Sequence, residues 1–244
     1  SVTWISSTEG NVWQKSKVKL QSKSEQAPVL QVDGTEDGIV FKNWGTTFNE
    51  LCWDALENLT RAEQDEILYN IFSPQGDLRI TRGRISMGAN DYARSWYSCD
   101  EVEGDFELRY FNIDRDKQTI IPFIRAAQKY NPDLTFWISP WCPPSWMKIN
   151  GDYPVLSSPF NNLSEKQNYL LYGAVGGQVD ENEMKLTGAR DGVFPRQLAT
   201  TDFMIQDPRY LQTYANYFCR FIDAYKEQGI PIDMVMYQNE AYSY

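Results

Sequence analysis

The pattern of apolar and polar positions changes character at Gly38. Before it the segments are short: Val2-Thr3-Trp4-Ile5 and Lys17-Val18-Lys19-Leu20 predict two strands, the second by its apolar–polar alternation. After it the apolar runs lengthen. Ile39-Val40-Phe41 leads into Trp44-Gly45-Thr46-Thr47-Phe48, an apolar and β-branched run that fits a buried strand. A helix is predicted next, capped by Thr60, with Glu63 completing the Thr-x-x-Glu box. Ile67, Leu68, Ile71 and Phe72 give it an apolar stripe before Pro74 and Gly76 close the unit.

The same order repeats. Arg84-Ile85-Ser86-Met87-Gly88 predicts a short strand, and after a loop rich in Asp and Glu a helix from about Asp114 turns Ile120, Ile121, Phe123, Ile124 and Ala127 inward. Leu134 to Ile138 predicts the third strand, and a long segment from Ser139 to Gln206 follows it. Asp207 then opens a helix with Pro208 at its first position. Leu211, Tyr214, Phe218, Phe221, Ile222 and Tyr225 line one face of it, and Gly229 ends it. Ile232 to Tyr237 predicts a fourth strand running into Gln238-Asn239-Glu240.

Strand–helix alternation of this kind means right-handed βαβ units on a parallel sheet, closed either as an open doubly wound sheet or as a (β/α)8 barrel. No Gly-x-Gly-x-x-Gly or Gly-x-x-x-x-Gly-Lys follows a strand, which disfavours a nucleotide-binding sheet and an oxidoreductase built on one. Polar groups do gather directly after each strand, at Asn49-Glu50, Asn90-Asp91, Ser139 to Trp146 and Asn239-Glu240, where barrels build their active sites. The reading is an α/β chain in which residues 39–244 hold about the first four strand–helix units of a (β/α)8 TIM barrel, with 1–38 as separate N-terminal strands. Half a barrel leaves its outer strands as open edges, so a longer protein or self-association of this piece is expected.

Composition narrows the chemistry. A net charge of −10 argues against a duplex nucleic-acid partner, which demands a basic face. No apolar run approaches the roughly 18 residues of a helical membrane span. The absence of histidine excludes Ser-His-Asp and Cys-His triads, imidazole bases and His-ligated metals within these residues. No cofactor or metal motif is present; the cluster Asp100, Glu101, Glu103 and Asp105 reads as a solvated loop, or as a calcium site without EF-hand spacing. Cys52, Cys99, Cys142 and Cys219 form no CxxC, and read either as buried thiols or as a disulfide such as Cys99 with Cys142. The opening Ser-Val-Thr, with neither an initiator Met nor a signal-like apolar core, fits a processed chain or a trimmed one. The 8 Trp, 15 Tyr and 12 Phe serve either core packing or a carbohydrate site that offers flat ring faces.

Three constellations are candidates for chemistry. Glu240 follows an apolar strand beside Asn239, and is either a carboxyl aimed into a barrel mouth or a strand-end cap. Ser139-Pro140-Trp141-Cys142-Pro143-Pro144-Ser145-Trp146 is a proline-stiffened loop holding Trp141 and Trp146, either as a sugar platform or as a corner with buried indoles. Arg84 and Asp91 bind vicinal hydroxyls or pair with each other.

Taken in order, Arg84-x-x-Met87-x-x-x-Asp91, Ser139-Pro140-Trp141 with Pro144-x-Trp146-x-Lys148, and Asn239-Glu240 resemble glycoside hydrolase family 30, the glucosylceramidase-like retaining β-glycosidases. Phe48-Asn49-Glu50-Leu51 with Trp53-Asp54 is similar to bacterial members. The resemblance covers roughly Ile39 to Glu240. It implies a (β/α)8 barrel beside a β-sandwich to which residues 1–38 contribute. It makes Glu240 the general acid/base, Asn239 a substrate-hydroxyl ligand, and Arg84, Asp91 and Trp141 sugar-binding residues. The proline-stiffened loop, read by itself, adds Trp146 as a second aromatic contact. The resemblance further implies a β-linked oligo- or polysaccharide or glucoside as partner, with β-1,6-glucan and glucosylceramide-like compounds among the substrates, no cofactor, and an extracellular or periplasmic setting. The nucleophile, a Glu ending strand seven in the family, has no counterpart in 1–244, so this piece alone is expected to be inactive. A noncatalytic carbohydrate-binding homologue is the alternative. Residues 151–206 have no counterpart in the resemblance.

Overall fold

A computed structural model describes residues 2–19, 38, 40–148, 151, 153, 204–205 and 207–239. The chain divides into two compact units, Ser1–Lys42 and Asn43–Tyr244.

In the first unit β1 (Val2–Thr8) pairs antiparallel with β2 (Asn11–Val18), Val2 opposite Val18 and Ile5 opposite Lys15. β2 starts six residues earlier than the alternation at Lys17 predicts. Trp4 and Trp13 are both exposed on this hairpin.

The second unit carries β3 (Gly45–Phe48), α1 (Glu50–Glu57), α2 (Arg61–Phe72), β4 (Arg82–Met87), α3 (Ile120–Gln128), β5 (Thr135–Pro140), α4 (Pro208–Glu227) and β6 (Ile232–Val235). The four strands form one parallel sheet in the order β3-β4-β5-β6. Each predicted strand is present. The apolar run Val40-Phe41 is not part of β3 and is exposed, and the third helix begins at Ile120 after a 3-10 turn at Asp116–Gln118 rather than near Asp114.

The period of two sorts β4 and β5 into faces. Gly83, Ile85, Phe136 and Ile138 are buried on the helix side, where Phe48 packs on Phe72, Phe123 and Phe136. Arg82, Arg84, Thr135 and Trp137 are only half-buried on the other face. A Cβ on Gly83 would lie 2.5 Å from the Phe48 ring and 2.9 Å from the Phe136 ring, so these rings close over the strand only because Gly83 has no side chain.

The helices follow their local signals where those are strong. Thr60 and Glu63 make the reciprocal capping box: the Thr60 N–H donates to the Glu63 carboxylate at 2.8 Å and the Glu63 N–H to Thr60 Oγ1 at 3.4 Å. Asp207 caps α4 through the Arg209 N–H at 2.8 Å, with Pro208 at the first position. The buried face of α4 is Tyr210, Thr213, Tyr217, Phe221 and Tyr225; Tyr214, Phe218 and Ile222 flank it, and Leu211 is exposed. Two corrections follow. The inward face is rotated from the one the periodicity suggests, because aromatic residues occur on both. And α1 is an extra helix, with Asn49 as its cap, its Oδ1 accepting from the Cys52 N–H at 2.9 Å.

Candidate active site

Arg84 projects from β4 beside Ser139 of β5, and two of its N–H groups donate to Ser139 Oγ, from Nε at 2.9 Å and Nη2 at 2.7 Å. Nη2 also donates to Asn239 Oδ1 at 2.5 Å. The guanidinium carbon lies 4.2 Å from the centroid of the Trp141 ring and 5.0 Å from that of Trp137. Arg84 therefore joins residues from β4, β5 and the segment after β6 through hydrogen bonds at its edge and indoles at its face. Asn239 is itself anchored, its backbone N–H donating to the Pro140 carbonyl at 2.8 Å. Gln238 Nε2 donates to the Trp141 carbonyl at 2.5 Å, so the chain leaving β6 is tied to the chain leaving β5. Glu240, the next residue, lies outside the described residues, as does most of the segment 151–206.

The remaining sequence candidates divide. Trp141 is buried in the Arg84 cluster, and its Nε1–H has no hydrogen-bond partner among the described residues. Asp91 stands exposed on the loop after β4. Trp146 is a correction: its ring is core, packed on Phe106 and Tyr210, and Nε1 donates to the Asp100 carbonyl at 3.0 Å. Both indoles are buried; Trp141 differs in lying against Arg84 of the strand-end cluster. The cysteines are all thiols, with Cys52 and Cys219 exposed and Cys99 and Cys142 buried.

The acidic loop is corrected too. Asp100 is buried, and burial, with Asp105 and Glu101 close by, pushes its carboxyl upward against the Val102 N–H bond that holds it down. Glu101 accepts from the hydroxyl and the backbone N–H of Ser145. Glu101 thereby ties the loop after β4 to the loop after β5, while Glu101 and Glu103 stay exposed and Asp100 and Asp105 are buried. Among the described residues no group of three or more His, Cys, Asp or Glu is arranged to hold a metal ion.

A second polar cluster was missed by the sequence reading. Glu50, buried at the start of α1, takes Arg115 Nε and Nη2 at 2.8 and 2.7 Å and the Arg94 N–H at 2.8 Å. Burial raises its carboxyl pKa, but the Arg115 and Arg94 bonds outweigh that and hold it below the usual range. Arg115 also donates to the hydroxyl and carbonyl oxygens of Ser95, and its guanidinium stacks 3.9 Å from the Tyr97 centroid. Beneath it Asp116, fully buried, accepts from Tyr97 Oη at 2.8 Å and Tyr225 Oη at 2.6 Å; burial pushes it up to about 6 against those bonds. The only hint in sequence is Glu50 directly after a strand.

The chain matches the model of the glycosyl hydrolase family 30 TIM-barrel domain over residues 41–158. It is 26% identical over 222 residues to an endo-1,6-β-D-glucanase of Aspergillus fumigatus, covering 89% of this chain and 38% of the relative. It is 26% identical over 184 residues to the lysosomal acid glucosylceramidase of Mus musculus, covering 75% and 27%. A solved endo-β1,6-glucanase superposes with a TM-score of 0.56 at 24% identity, over 81% of this chain and 35% of that one, a likeness of fold. The chain spans about a third of the length of the curated relatives it matches.

Proposed function

We propose, from the match of residues 41–158 to the glycosyl hydrolase family 30 TIM-barrel domain, that the whole protein is a retaining β-glycosidase of that family acting on a neutral β-linked glucan or glucoside. A β-1,6-glucan and a glucosylceramide-like compound are the two substrate types that the relatives suggest. The observation carrying this reading is the Arg84 cluster. The carboxyl-terminal ends of three adjacent parallel strands meet in a cation, an indole, a hydroxyl and an amide, and Glu240 is the residue immediately after that amide. Strict sequential order of the strands is what successive units of a barrel would give, whereas a doubly wound sheet reverses direction at a switch point.

In this reading Glu240 protonates the leaving oxygen while a second carboxylate, about 5–5.5 Å away in retaining enzymes, attacks the anomeric carbon. Water then hydrolyses the glycosyl-enzyme, with Glu240 acting as base. Asn239 accepts from or donates to the sugar hydroxyl beside the reacting carbon, with Arg84 fixing its amide, and Asp91 and Trp141 complete the subsite. The attacking carboxylate is supplied from outside residues 1–244, so this piece does not turn over alone. An extracellular or periplasmic setting suits a polymeric or lipid-linked glucoside.

The test is Glu240→Ala in the whole protein. Turnover of substrates with poor leaving groups falls by about 10²–10⁴-fold, the range for a general acid. Activated aryl glycosides lose less, and azide restores part of the rate. Equal loss on every substrate without azide rescue assigns the acid elsewhere. A panel of β-glucans and aryl β-glycosides identifies the sugar and linkage.

A further inference from the structure

Outside the Arg84 cluster, the rim above β4 and β5 carries a second aromatic arrangement. Trp96, on the loop leaving β4, and Tyr153, on the chain leaving β5, stack with centroids 5.6 Å apart and planes within 10° of parallel. Trp96 keeps 39% of its surface exposed and Tyr92, on the same loop, 59%. The pair thus joins the loops that leave β4 and β5, the hydrogen-bonded neighbours that carry Arg84 and Ser139 and lead into Trp141.

We propose that Trp96, braced by Tyr153, is the stacking platform for a second sugar ring, joined to the one bound at Arg84. The proposal rests on the glycosidase reading above and deepens it: it selects an oligo- or polysaccharide over a lipid-linked monosaccharide.

The loop is built to present that ring. The Ala89 N–H donates to the Tyr97 carbonyl at 2.9 Å and pinches residues 89–97 into a closed turn. Gly88, at φ 86°, lets the chain enter it, and a Cβ there would lie 2.8 Å from the same carbonyl. The interior of the turn is tied down by Glu50, through the Arg94 N–H, and by Arg115, through Ser95. The Leu51 N–H donates to the Tyr92 carbonyl at 3.1 Å. Trp96 therefore sits on backbone whose position is set before a ligand arrives, which reduces the ordering cost of binding. Tyr153 restricts the indole further. Ring-on-ring packing of this kind suits the flat C–H face of a pyranose.

The polar residues of the loop decide between a sugar and an acyl chain. The exposed polar residues Asp91, Arg94 and Ser95 are interleaved in sequence with the exposed rings of Tyr92 and Trp96, while Tyr97 is engaged by Asp116 and Arg115. A lipid tail needs continuous apolar surface. A sugar needs aromatic faces with hydrogen-bonding groups between them, which is the pattern present.

The experiment compares a β-linked gluco-trisaccharide with an aryl β-glucoside, using the whole protein. Trp96→Ala should lower the ratio of kcat/KM for trisaccharide over aryl glucoside about tenfold, chiefly through KM, in line with the worth of one aromatic contact. Tyr153→Ala should lower it by less and Trp96→Phe should recover most of it. Tyr110→Ala, an exposed ring elsewhere, should leave the ratio unchanged. Calorimetric binding of the trisaccharide to a Glu240→Gln background reads the platform without turnover, with circular dichroism confirming that each variant is folded. A ratio and an affinity within twofold of wild type for Trp96→Ala overturn the platform. So does selective loss of activity on micellar glucosylceramide with the trisaccharide unaffected. A wild-type protein that hydrolyses no β-glycoside sinks the hydrolase reading. A tenfold loss of trisaccharide binding in Trp96→Ala still upholds the platform in that case.

Discussion

Arg84 spends each part of its side chain on a different neighbour. The edge of the guanidinium donates to Ser139 and Asn239, and its face lies against Trp141 and Trp137. An ammonium reproduces neither the fork nor the planar face. Arg84→Lys therefore keeps the charge but releases the Asn239 amide. Losing one charge-assisted hydrogen bond and one stacked cation costs about 2–3 kcal/mol, so kcat/KM should drop about 30- to 150-fold. Kinetics with the thermal midpoint measured alongside decides the matter. A change below threefold would mean that Asn239 is held by its backbone contact to Pro140 alone. Arg84, Trp141 and Asn239, which the structure brings together, stood out in sequence because they lie in or just after runs read as strands, whereas Asp91 lies exposed outside that cluster. Trp146 could not be separated from Trp141, since two indoles five residues apart in one stiff loop look alike; packing buries both, Trp141 against Arg84 and Trp146 against Phe106 and Tyr210.

At the scale of elements, the tightest constraint is where the sheet meets its helices. Gly83 lets Phe48 and Phe136 approach across β4, and any Cβ must push an aromatic ring that is already packed against α2 and α3. Gly83→Ala should destabilise the protein by about 1–3 kcal/mol, the usual cost of overpacking. Urea unfolding reads this, and an unchanged midpoint would mean that the two rings repack without strain. The four strands of the sheet were legible as short β-branched or apolar-containing segments, each followed by polar residues. α1 was not: its eight residues have only Leu56 as a buried apolar side chain, and its Asn cap looks the same as a polar strand end. The face of α4 was misjudged for the opposite reason. Tyrosines and phenylalanines occur at Tyr210, Tyr214, Tyr217, Phe218, Phe221 and Tyr225, so the stripe is too wide for periodicity to choose its centre.

For the whole molecule, acidity is the environmental variable the structure responds to. Asp116 is raised to about 6 from an ordinary value of 3.8, so between those pH values the folded chain holds a proton that the unfolded chain has released. Its contribution to stability is fully present near the lower value, declines as pH rises across that window and is lost above about 6. Asp100 acts in the same direction, and Glu50, held below its ordinary value, acts in the opposite one. Asp116→Asn, which mimics the protonated carboxyl, should therefore gain stability relative to wild type as pH rises across that interval. Urea melts at several pH values measure the difference, and a gap that does not vary with pH would remove Asp116 from the account.

The sheet order described above also bears on synthesis. Every strand of the larger unit pairs with the one made just before it. A chain emerging from the ribosome can thus extend its sheet by one strand at a time, without waiting for a distant partner. Arg84 and Ser139 are 55 positions apart and meet early, whereas Asn239 comes 100 positions after Ser139. The nascent protein carries the Arg84–Ser139 pair alone until its fourth parallel strand is translated, and Asn239 joins that cluster only then.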